Sequence, residues 1–300
     1  MEYNKYAAID IGSNAIRLQI SDVIKQKNKD YFFLKNSFTR VPIRLGQDAF
    51  TKEKISDTNI RKLIETMQAF RLLMQANDVV KYRGVATSAL RSAKNGKKIV
   101  TMIRDKANIN IDLIDGATEA KIIYLAGLDE HIKDKGACLF VDVGGGSTEL
   151  SLFINKKHIT SKSFKIGTVR LLNNQVYDSD WTEMKQWIKK NVKKMDDITI
   201  MGSGGNIKRL FKLLNVEKGK SVNYISLLNI YQDLSSMSIQ DRITIIGLKP
   251  DRADVITHAA ALFLSVMKWS NSNRIFVPRI GISNGIITSL HQDDEYSNYL

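Results

Sequence analysis

Two short segments repeat an aspartate, a glycine turn and a returning strand. Residues 10–18 read DIGSNAIRL and residues 142–150 read DVGGGSTEL, and the two align without a gap. Glycine lets the backbone approach a ligand closely and leaves N–H groups pointing into one concavity, which suits phosphate oxygens. An aspartate beside such a turn can hold Mg²⁺ directly or through water. The repeat therefore predicts two turns that bind phosphate or a metal ion.

The two copies differ at the position where opposite charges would be useful. The first copy carries Arg17, a phosphate-binding cation, whereas the second carries Glu149, another carboxylate for a metal. Facing each other across a cleft, they would form a basic phosphate clamp opposite an acidic metal site. A third cluster, Gly202–Gly205, joins a predicted strand to a helix, whose N-terminal amides suit anions. The phosphate loop that ends in Lys-Ser/Thr and the dinucleotide fingerprint are both absent from the sequence.

The charge balance is consistent with such a ligand. The chain has 300 residues, 45 Lys and Arg against 31 Asp and Glu, and a net charge of +14, which favours general solubility or a polyanionic partner. One cysteine, Cys138, excludes a disulfide scaffold and a multi-cysteine zinc site, and the four histidines lack metal-ligand spacing. Because no apolar segment is long enough to span a membrane and the N-terminus does not resemble a signal peptide, we expect a cytoplasmic protein.

Hydrophobic periodicity predicts the same order of elements twice. Alternation of apolar residues predicts strands, and spacing of three and four residues over 56–77 predicts a helix capped by Ser56 or Asp57. The first half is expected to contain strands 6–11, 15–23, 31–38, 79–86 and 109–114 and helices 56–77 and 93–107. The second half is expected to contain strands 137–143, 147–154, 157–165, 198–201 and 274–278 and helices 182–195, 206–214, 224–235, 252–269 and 284–291. The repeat predicts two copies of one domain.

Several motifs in this order resemble the Ppx/GppA family of exopolyphosphatases and guanosine pentaphosphate phosphohydrolases. They are Asp10–Asn14 with Arg17, Ala86–Asn95, Gly116–Ala120, Val141–Glu149, Lys165–Val169, Gly202–Gly205 and Arg252–Val255. The resemblance implies an α/β fold of two actin-like (ribonuclease H-like) domains of the actin–sugar kinase–heat-shock-70 superfamily, with the site in an interdomain cleft. Domain I would cover 1–118, completed by 283–300, and domain II would cover 119–282.

The resemblance also implies a role for residues at the matching positions. Glu119, expected just after strand 109–114, matches the catalytic glutamate that activates water. Asp142 and Glu149 match carboxylates that bind Mg²⁺ or another divalent cation, and Asp10 is a further candidate ligand. The residues expected to bind the phosphate chain are Gly12, Ser13, Asn14, Arg17, Arg91, Gly144, Gly145, Gly146, Ser147, Gly167 and Arg252.

Some of these residues have a second interpretation. Without the resemblance, Glu119 also suits a surface helix start, Arg91 a solvated loop and Arg252 the first turn of a helix. The lysine-rich segment 185–194 is expected to be a solvated helix face, with a polyphosphate track as the alternative. Cys138 is expected to be buried, and the three tryptophans are expected to belong to the core.

The predicted reaction is Mg²⁺-dependent hydrolysis of a terminal phosphoanhydride, with inorganic polyphosphate as the leading substrate and orthophosphate as the product. The closest alternative is a guanosine pentaphosphate 5′-phosphohydrolase, although Gly281–Gly285 stands where many relatives carry Arg-Glu-Gly, which disfavours it. A non-catalytic alarmone-binding signalling protein and a sugar or acetate kinase are two further candidates. The sequence contains no recognised nucleic-acid-binding module, which argues against nucleic acid as the partner, and a homodimer is left open.

Overall fold

The structure is a computed structural model that describes residues 3–25, 31–128, 132, 136–193, 195, 198–217, 219–278 and 280–295. The chain divides into two compact units. The first contains residues 1–127 and 281–300, and the second contains residues 128–280. Each unit has its own mixed sheet with helices packed against it.

The sheet of the first unit has the strand order β3-β2-β1-β4-β5. The first three strands are antiparallel to one another, and β4 and β5 continue the sheet in parallel with β1. The elements of this unit are β1 (Tyr3–Ile11), β2 (Ile16–Lys25), β3 (Tyr31–Val41), α1 (Leu45–Thr51), α2 (Asp57–Ala76), β4 (Lys81–Ala86), α3 (Ser88–Ser92), α4 (Gly96–Ala107), β5 (Asp112–Leu113) and α5 (Gly116–Leu125), together with the C-terminal helix given below.

The second unit repeats this topology. Its strand order is β8-β7-β6-β9-β11-β10, in which β6, β7 and β8 are antiparallel and β9 and β11 follow in parallel. The elements are β6 (Ala137–Val143), β7 (Thr148–Ile154), β8 (Lys157–Phe164), α6 (Thr168–Leu172), α7 (Asp178–Val192), β9 (Ile198–Ser203), α8 (Gly205–Leu213), β10 (Ser221–Asn223), α9 (Tyr224–Ser236), α10 (Ile239–Thr244), α11 (Pro250–Ala253), α12 (Ile256–Trp269) and β11 (Arg274–Phe276), followed by α13 (Ile282–Glu295). The expected α/β class and the expected repeat of one topology in two units are confirmed.

Helix α13 returns the end of the chain to the first unit. Ile286 and Ile287 of α13 are buried together with Ile122 of α5 and with Tyr6 and Val85 of the sheet. The boundary between the units therefore follows α5, at 127/128, rather than preceding it at 118/119, because α5 packs against α13. Within the first unit, α5 carries Glu119 on its first turn.

The long helices and strands agree with those predicted from hydrophobic periodicity, whereas several short elements were not predicted. Helix α2 begins after the N-cap Ser56, as expected. The predicted strand 109–114 is paired only at β5. The predicted helix 252–269 begins inside α11, is interrupted at Asp254 and Val255, and continues as α12. Helices α1, α3, α5, α6, α10 and α11 were not predicted as separate elements. Most of them are a single turn or two long, which is too short for a repeating apolar pattern to be recognised.

Several side chains that the sequence assigned to the surface or to the core are found there in the structure. The lysines of α7 (Lys185, Lys189 and Lys190) and its C-cap residue Lys193 are exposed, and Lys194 lies outside the described residues. Trp181 packs edge to face on Trp269 at 5.9 Å between ring centroids. Cys138 is buried, and this burial raises the pKa of its thiol to about 12. None of the helices in the described residues has the length and apolarity needed to cross a membrane.

Replacing Gly285 with alanine tests the packing of α13 on α5. Alanine normally stabilises a helix interior by about 1 kcal/mol relative to glycine. At position 285, however, a Cβ atom would lie 1.7 Å from the carbonyl oxygen of Ile122. We expect Gly285→Ala to lower the free energy of unfolding by about 1–3 kcal/mol or more in urea titrations. Thr288→Ala on the same helix is the control and should change it by less than about 1 kcal/mol. An unfolding midpoint of Gly285→Ala at or above that of the wild type would contradict this packing.

Candidate functional site

The two glycine turns predicted from the sequence share their hydrogen bonding. In the first, the N–H of Gly12 donates to the carbonyl of Ala15 at 3.2 Å, and in the second, the N–H of Gly144 donates to the carbonyl of Ser147 at 2.9 Å. The turns follow β1 and β6, which occupy the same place in the two sheets. The sequence repeat is therefore also a structural repeat of one hairpin turn.

Each turn is fixed from outside by a short helix that the sequence pattern does not reveal. At the start of α1, the N–H of Gly46 donates to the carbonyl of Ser13 at 2.8 Å. At the start of α6, the N–H of Val169 donates to the carbonyl of Gly145, also at 2.8 Å. Because these bonds occupy turn carbonyls, the carbonyl groups are directed into the protein. This arrangement favours the use of turn N–H groups for an anion.

Gly167 is required by the contact between α6 and the second turn. A Cβ atom at this position would lie 2.5 Å from backbone atoms of Gly145 and Gly146. The guanidinium of Arg170 donates to the carbonyl of Gly146 at 2.8 Å, and burial lowers the pKa of Arg170. Gly167 thus packs against the second turn, and its expected role in binding phosphate stays a prediction.

Opposite charges meet beside the first turn. Asp10 and Arg17 are directly paired across β1 and β2, and their side chains form an ion pair in which the carboxylate is buried and the guanidinium is partly exposed. The hydroxyl of Ser13, itself buried, lies 2.8 Å from that of Ser88. Asn14 is half-buried next to Ser13 in the same turn. The predicted residues of the first copy are therefore brought together around one turn.

Like charges meet beside the second turn. Asp142 and Glu149 are directly paired across β6 and β7, and their carboxylate oxygens lie within 4.8 Å of each other. Glu149 is only 4% exposed and accepts a hydrogen bond from the Ser163 hydroxyl at 2.9 Å. Two carboxylates directly opposite each other destabilise a strand pair. Oxygen ligands of this kind suit a hard divalent cation such as Mg²⁺, so the donor set fits the metal expected from the sequence.

Arg252 lies beside the start of α8. Gly204, at φ +111°, precedes this helix, and a Cβ atom built there would lie 3.6 Å from a carboxylate oxygen of Asp142. A Cβ atom at Gly205 would lie 3.4 Å from the guanidinium of Arg252. Asp142, the start of α8 and Arg252 therefore form a continuous edge within the second unit. The Gly202–Gly205 cluster was recognised as a possible anion site, but its glycines were not among the predicted phosphate-binding residues.

Glu119 and Arg91 both lie near the start of α5 in the first unit. The side chain of Asp115 caps this helix by accepting a hydrogen bond from the N–H of Thr118 at 2.8 Å. This hydrogen bond is the main reason why the pKa of Asp115 is lowered, and the nearby Arg91 also contributes. Arg91 is exposed and donates to the carbonyl of Ile114 at 2.5 Å, whereas Glu119 is half-buried one turn into the helix. The Asp115 cap thus fixes the first turn of α5, which carries Glu119, and the hydrogen bond to Ile114 holds Arg91 beside it.

Comparisons with known proteins agree on the kind of protein that this chain resembles. Residues 24–293 match the model of the Ppx/GppA phosphatase family. A bifunctional 3-dehydroquinate synthase/phosphatase of Fusobacterium nucleatum is 28% identical over 306 residues, which cover 90% of this chain and 44% of that protein. Exopolyphosphatase 1 of Mycobacterium tuberculosis is 20% identical, and the match covers 94% of this chain and 87% of that protein. A guanosine-5′-triphosphate,3′-diphosphate pyrophosphatase of Aeromonas salmonicida is 23% identical, with coverage of 95% and 59%.

Solved structures share the fold over nearly the whole chain. A crystal structure of an exopolyphosphatase from Cytophaga hutchinsonii has a TM-score of 0.79 at 22% identity and covers 96% of this chain and 98% of its own. The Aquifex aeolicus member of the Ppx/GppA family has a TM-score of 0.75 at 22% identity, with coverage of 98% and 100%. The Fusobacterium nucleatum relative is more than twice as long as its matched part, so this chain spans less than half of it.

Adjacent glycines at the start of α8 provide a matched test of the site. Gly204→Ala would place an alanine at φ +111° with its Cβ atom 2.8 Å from the carbonyl oxygen of Val143. We expect a loss of about 1–3 kcal/mol in the free energy of unfolding, measured in urea. Gly205→Ala makes only ordinary contacts with Arg252 and should change stability by less than about 1 kcal/mol. Equal stability of the two variants would refute the described start of α8.

Proposed function

The chain belongs to the Ppx/GppA phosphatase family, and from this premise we propose that it is an exopolyphosphatase that removes orthophosphate from the end of inorganic polyphosphate. The carrying observation is the contrast between the Asp10–Arg17 pair and the Asp142–Glu149 pair beside two equivalent turns. Phosphoryl transfer needs positioning and charge neutralisation more than covalent chemistry from the protein. An arginine beside one turn and two carboxylates beside the other supply groups for both purposes.

Asp142 and Glu149 are the proposed ligands of a divalent cation, with Mg²⁺ as the expected ion. Their cross-strand pairing keeps the two carboxylates close, and the Ser163 hydroxyl fixes one oxygen of Glu149. A bound cation would neutralise negative charge on the phosphoryl group and polarise its oxygens. The Asp10 carboxylate binds Arg17 in this structure, and its role as a metal ligand stays a prediction. We propose that Asp10 instead orients the Arg17 guanidinium toward phosphate.

The phosphate chain is proposed to bind to backbone amides and guanidinium groups. The turns Gly12–Asn14 and Gly144–Ser147 provide N–H groups, with Arg17 beside the first turn. Arg252 lies close to the N-terminus of α8, where the helix dipole is already positive. A guanidinium and the N–H groups of a helix start are both donors that suit phosphate oxygens, which supports a phosphate at this position. Gly167 maintains the second turn, and Arg91 is proposed to bind phosphate near α5.

Glu119 is the proposed general base. Its carboxylate would accept a proton from the attacking water, while the oxygen of that water forms a bond to the terminal phosphorus atom. The bond from phosphorus to the bridging oxygen breaks, and the shortened chain leaves as an anion. General base catalysis of this kind contributes about 10²- to 10⁴-fold to the rate. Glu119 belongs to the first unit, and the proposed metal ligands belong to the second.

Hydrolysis of guanosine pentaphosphate is the second candidate, and it is supported by the name of the Aeromonas salmonicida relative. Phosphate release from polyphosphates of defined length and from guanosine pentaphosphate, each with and without Mg²⁺, separates the two. A value of kcat/KM that is higher for the guanosine substrate would overturn the leading proposal.

We also propose a cytoplasmic location and a homodimer. Gel filtration with light scattering tests the homodimer.

Glu119→Gln tests the general base while preserving side-chain size. We expect kcat for polyphosphate hydrolysis to fall by about 10²- to 10⁴-fold, because the amide cannot accept the proton of water. Binding of polyphosphate, measured by calorimetry, should be retained. Glu65→Gln, an exposed glutamate on α2, is the control and should leave both quantities unchanged. Near-normal turnover in Glu119→Gln would remove this residue from the mechanism.

Glu149→Gln tests the metal site by removing one of two facing charges. We expect the Mg²⁺ concentration for half-maximal activity to rise by more than about tenfold, because the number of charged ligands determines affinity for such ions. The increase in melting temperature that Mg²⁺ or Mn²⁺ produces in the wild type should also disappear. Glu183→Gln, on the surface of the same unit, is the control. A Glu149→Gln variant with the metal response of the wild type would place the ion elsewhere.

A further inference from the structure

Arg242 of α10 is a buried arginine that the proposed chemistry does not use. Its side chain is only 8% exposed, although arginine is rarely buried to this extent. Burial lowers the pKa of Arg242, and the nearby carboxylate of Asp254 acts in the opposite direction. Taking a permanent cation out of water is costly unless its donors are paired. The contacts that the guanidinium makes in return therefore indicate what it is for.

The guanidinium of Arg242 joins the C-terminal ends of two helices. Its Nε–H donates to the carbonyl of Leu234 at 2.6 Å, and an Nη1–H donates to the carbonyl of Ala253 at 2.9 Å. Leu234 lies in the last turn of α9, and Ala253 is the last residue of α11. Carbonyl groups at these positions have no partner within their own helix, and a cation there also suits the helix dipole. One side chain thus caps α9 and α11 together.

Helix α11 depends on contacts of this kind, because it is only one turn long. It contains the four residues Pro250–Ala253, and an isolated helix of this length is not stable in water. The backbone of Arg242 holds the chain before the turn, since its carbonyl accepts a hydrogen bond from the N–H of Leu248 at 3.0 Å. Its guanidinium holds the chain at the end of the turn. Arg242 therefore fixes both sides of the turn that carries Arg252.

A second arginine ties the same segment to α8. The guanidinium of Arg209, in α8, donates to the carbonyls of Ile246 and Gly247, each at 3.2 Å. The start of this helix lies beside the guanidinium of Arg252. The segment 246–253 is thus held both from α8 and from α10, and its position relative to the start of α8 is fixed.

We propose that Arg242 is a positioning residue that fixes the guanidinium of Arg252 beside the start of α8 and thereby raises the affinity of the second unit for phosphate. A cation on a loose turn binds an anion less tightly, because ordering the turn is then part of the cost of binding. The inference rests on the proposed function where it assigns phosphate to Arg252. Arg242 itself is not expected to contact substrate, since its guanidinium is buried against backbone carbonyls.

A double-mutant cycle separates positioning from a structural role alone. Arg242→Lys keeps the charge but replaces a planar fork, which reaches two carbonyls, with a single ammonium. The affinity for inorganic triphosphate would be measured by calorimetry with Mg²⁺, in Glu119→Gln protein so that turnover is slow. We expect Arg242→Lys to weaken binding about 5- to 50-fold when Arg252 is present, but less than about twofold when it is combined with Arg252→Ala. A residue that acts only through Arg252 has no effect on affinity once that side chain is removed.

Ser272→Ala is the matched control for the loss of a buried donor in the same unit. The hydroxyl of Ser272 is buried and lies 2.9 Å from the carbonyl oxygen of Ile198 and 3.1 Å from that of Arg274. Ile198 begins β9, at the end of the strand opposite to Gly204. We expect Ser272→Ala to lower the free energy of unfolding but to leave triphosphate affinity unchanged, with or without Arg252→Ala.

Amide hydrogen exchange in the absence of ligand reports on α11 directly. The N–H groups of Arg252 and Ala253 both donate to the carbonyl of Lys249, at 2.9 and 3.0 Å. We expect them to exchange at least about tenfold faster in Arg242→Lys, because the turn opens more often when its end is not held. Their exchange in Ser272→Ala should match that of the wild type.

The outcomes distinguish this proposal from the proposed function. The same loss of affinity with and without Arg252 would make Arg242 a structural residue only and overturn the proposal, as would no loss in either background. Unaltered affinity in Arg252→Ala alone, or unaltered exchange of α11 in Arg242→Lys, would overturn it as well. Phosphate release from polyphosphate would be assayed separately, with Glu119 intact. No release, together with the expected cycle, would overturn the proposed function alone.

Discussion

The facing of Asp142 and Glu149 across two paired strands is the interaction on which the site depends. The strand register fixes this contact. Asp142 precedes the tight turn and Glu149 follows it, so the two residues can separate only if the strand pairing between β6 and β7 breaks. Like charges in this position oppose folding of the hairpin, and the buried side chain of Glu149 makes the cost greater. The surrounding core of the second unit must supply the free energy that keeps the pair together.

Duplication explains how one fold carries two chemistries. In the first unit, the equivalent positions hold Asp10 and Arg17, whose opposite charges stabilise the same hairpin. The turn geometry and the helices that fix it are retained in both units. Glutamate in place of arginine turns the neutral cross-strand pair of the first unit into a doubly negative pair in the second. The scaffold positions backbone amides, and the cross-strand pair determines whether a cation or an anion is favoured there.

The turns could be predicted from local sequence motifs, whereas contacts between residues far apart in the sequence could not. Asp10 and Asp142 could be identified because an aspartate, a glycine turn and an alternating strand lie within nine residues of each other. The start of α6 on the second turn depends on Gly167 approaching Gly145, and no pattern within either segment indicates that contact. The position of Gly204 beside Asp142 likewise arises from parallel pairing of β9 with β6, which only the fold establishes.

Register also explains why the faces of the edge strand β3 could not be predicted from the sequence. Simple alternation groups Phe32, Leu34, Phe38 and Arg40 on one face and leaves Lys35 on the other. The bulge at Asn36 breaks that grouping and brings Lys35 onto the ring of Phe38 instead. A one-residue shift exchanges the two faces of a strand, so the chemistry of an edge depends on where the shift occurs. Here it occurs between the first turn and the outer end of the strand, so only the outer half of β3 changes face. Arg17 and Arg40, nearest the turn, stay paired as the hairpin sets them, and the bulge brings Lys35 onto their face of the sheet.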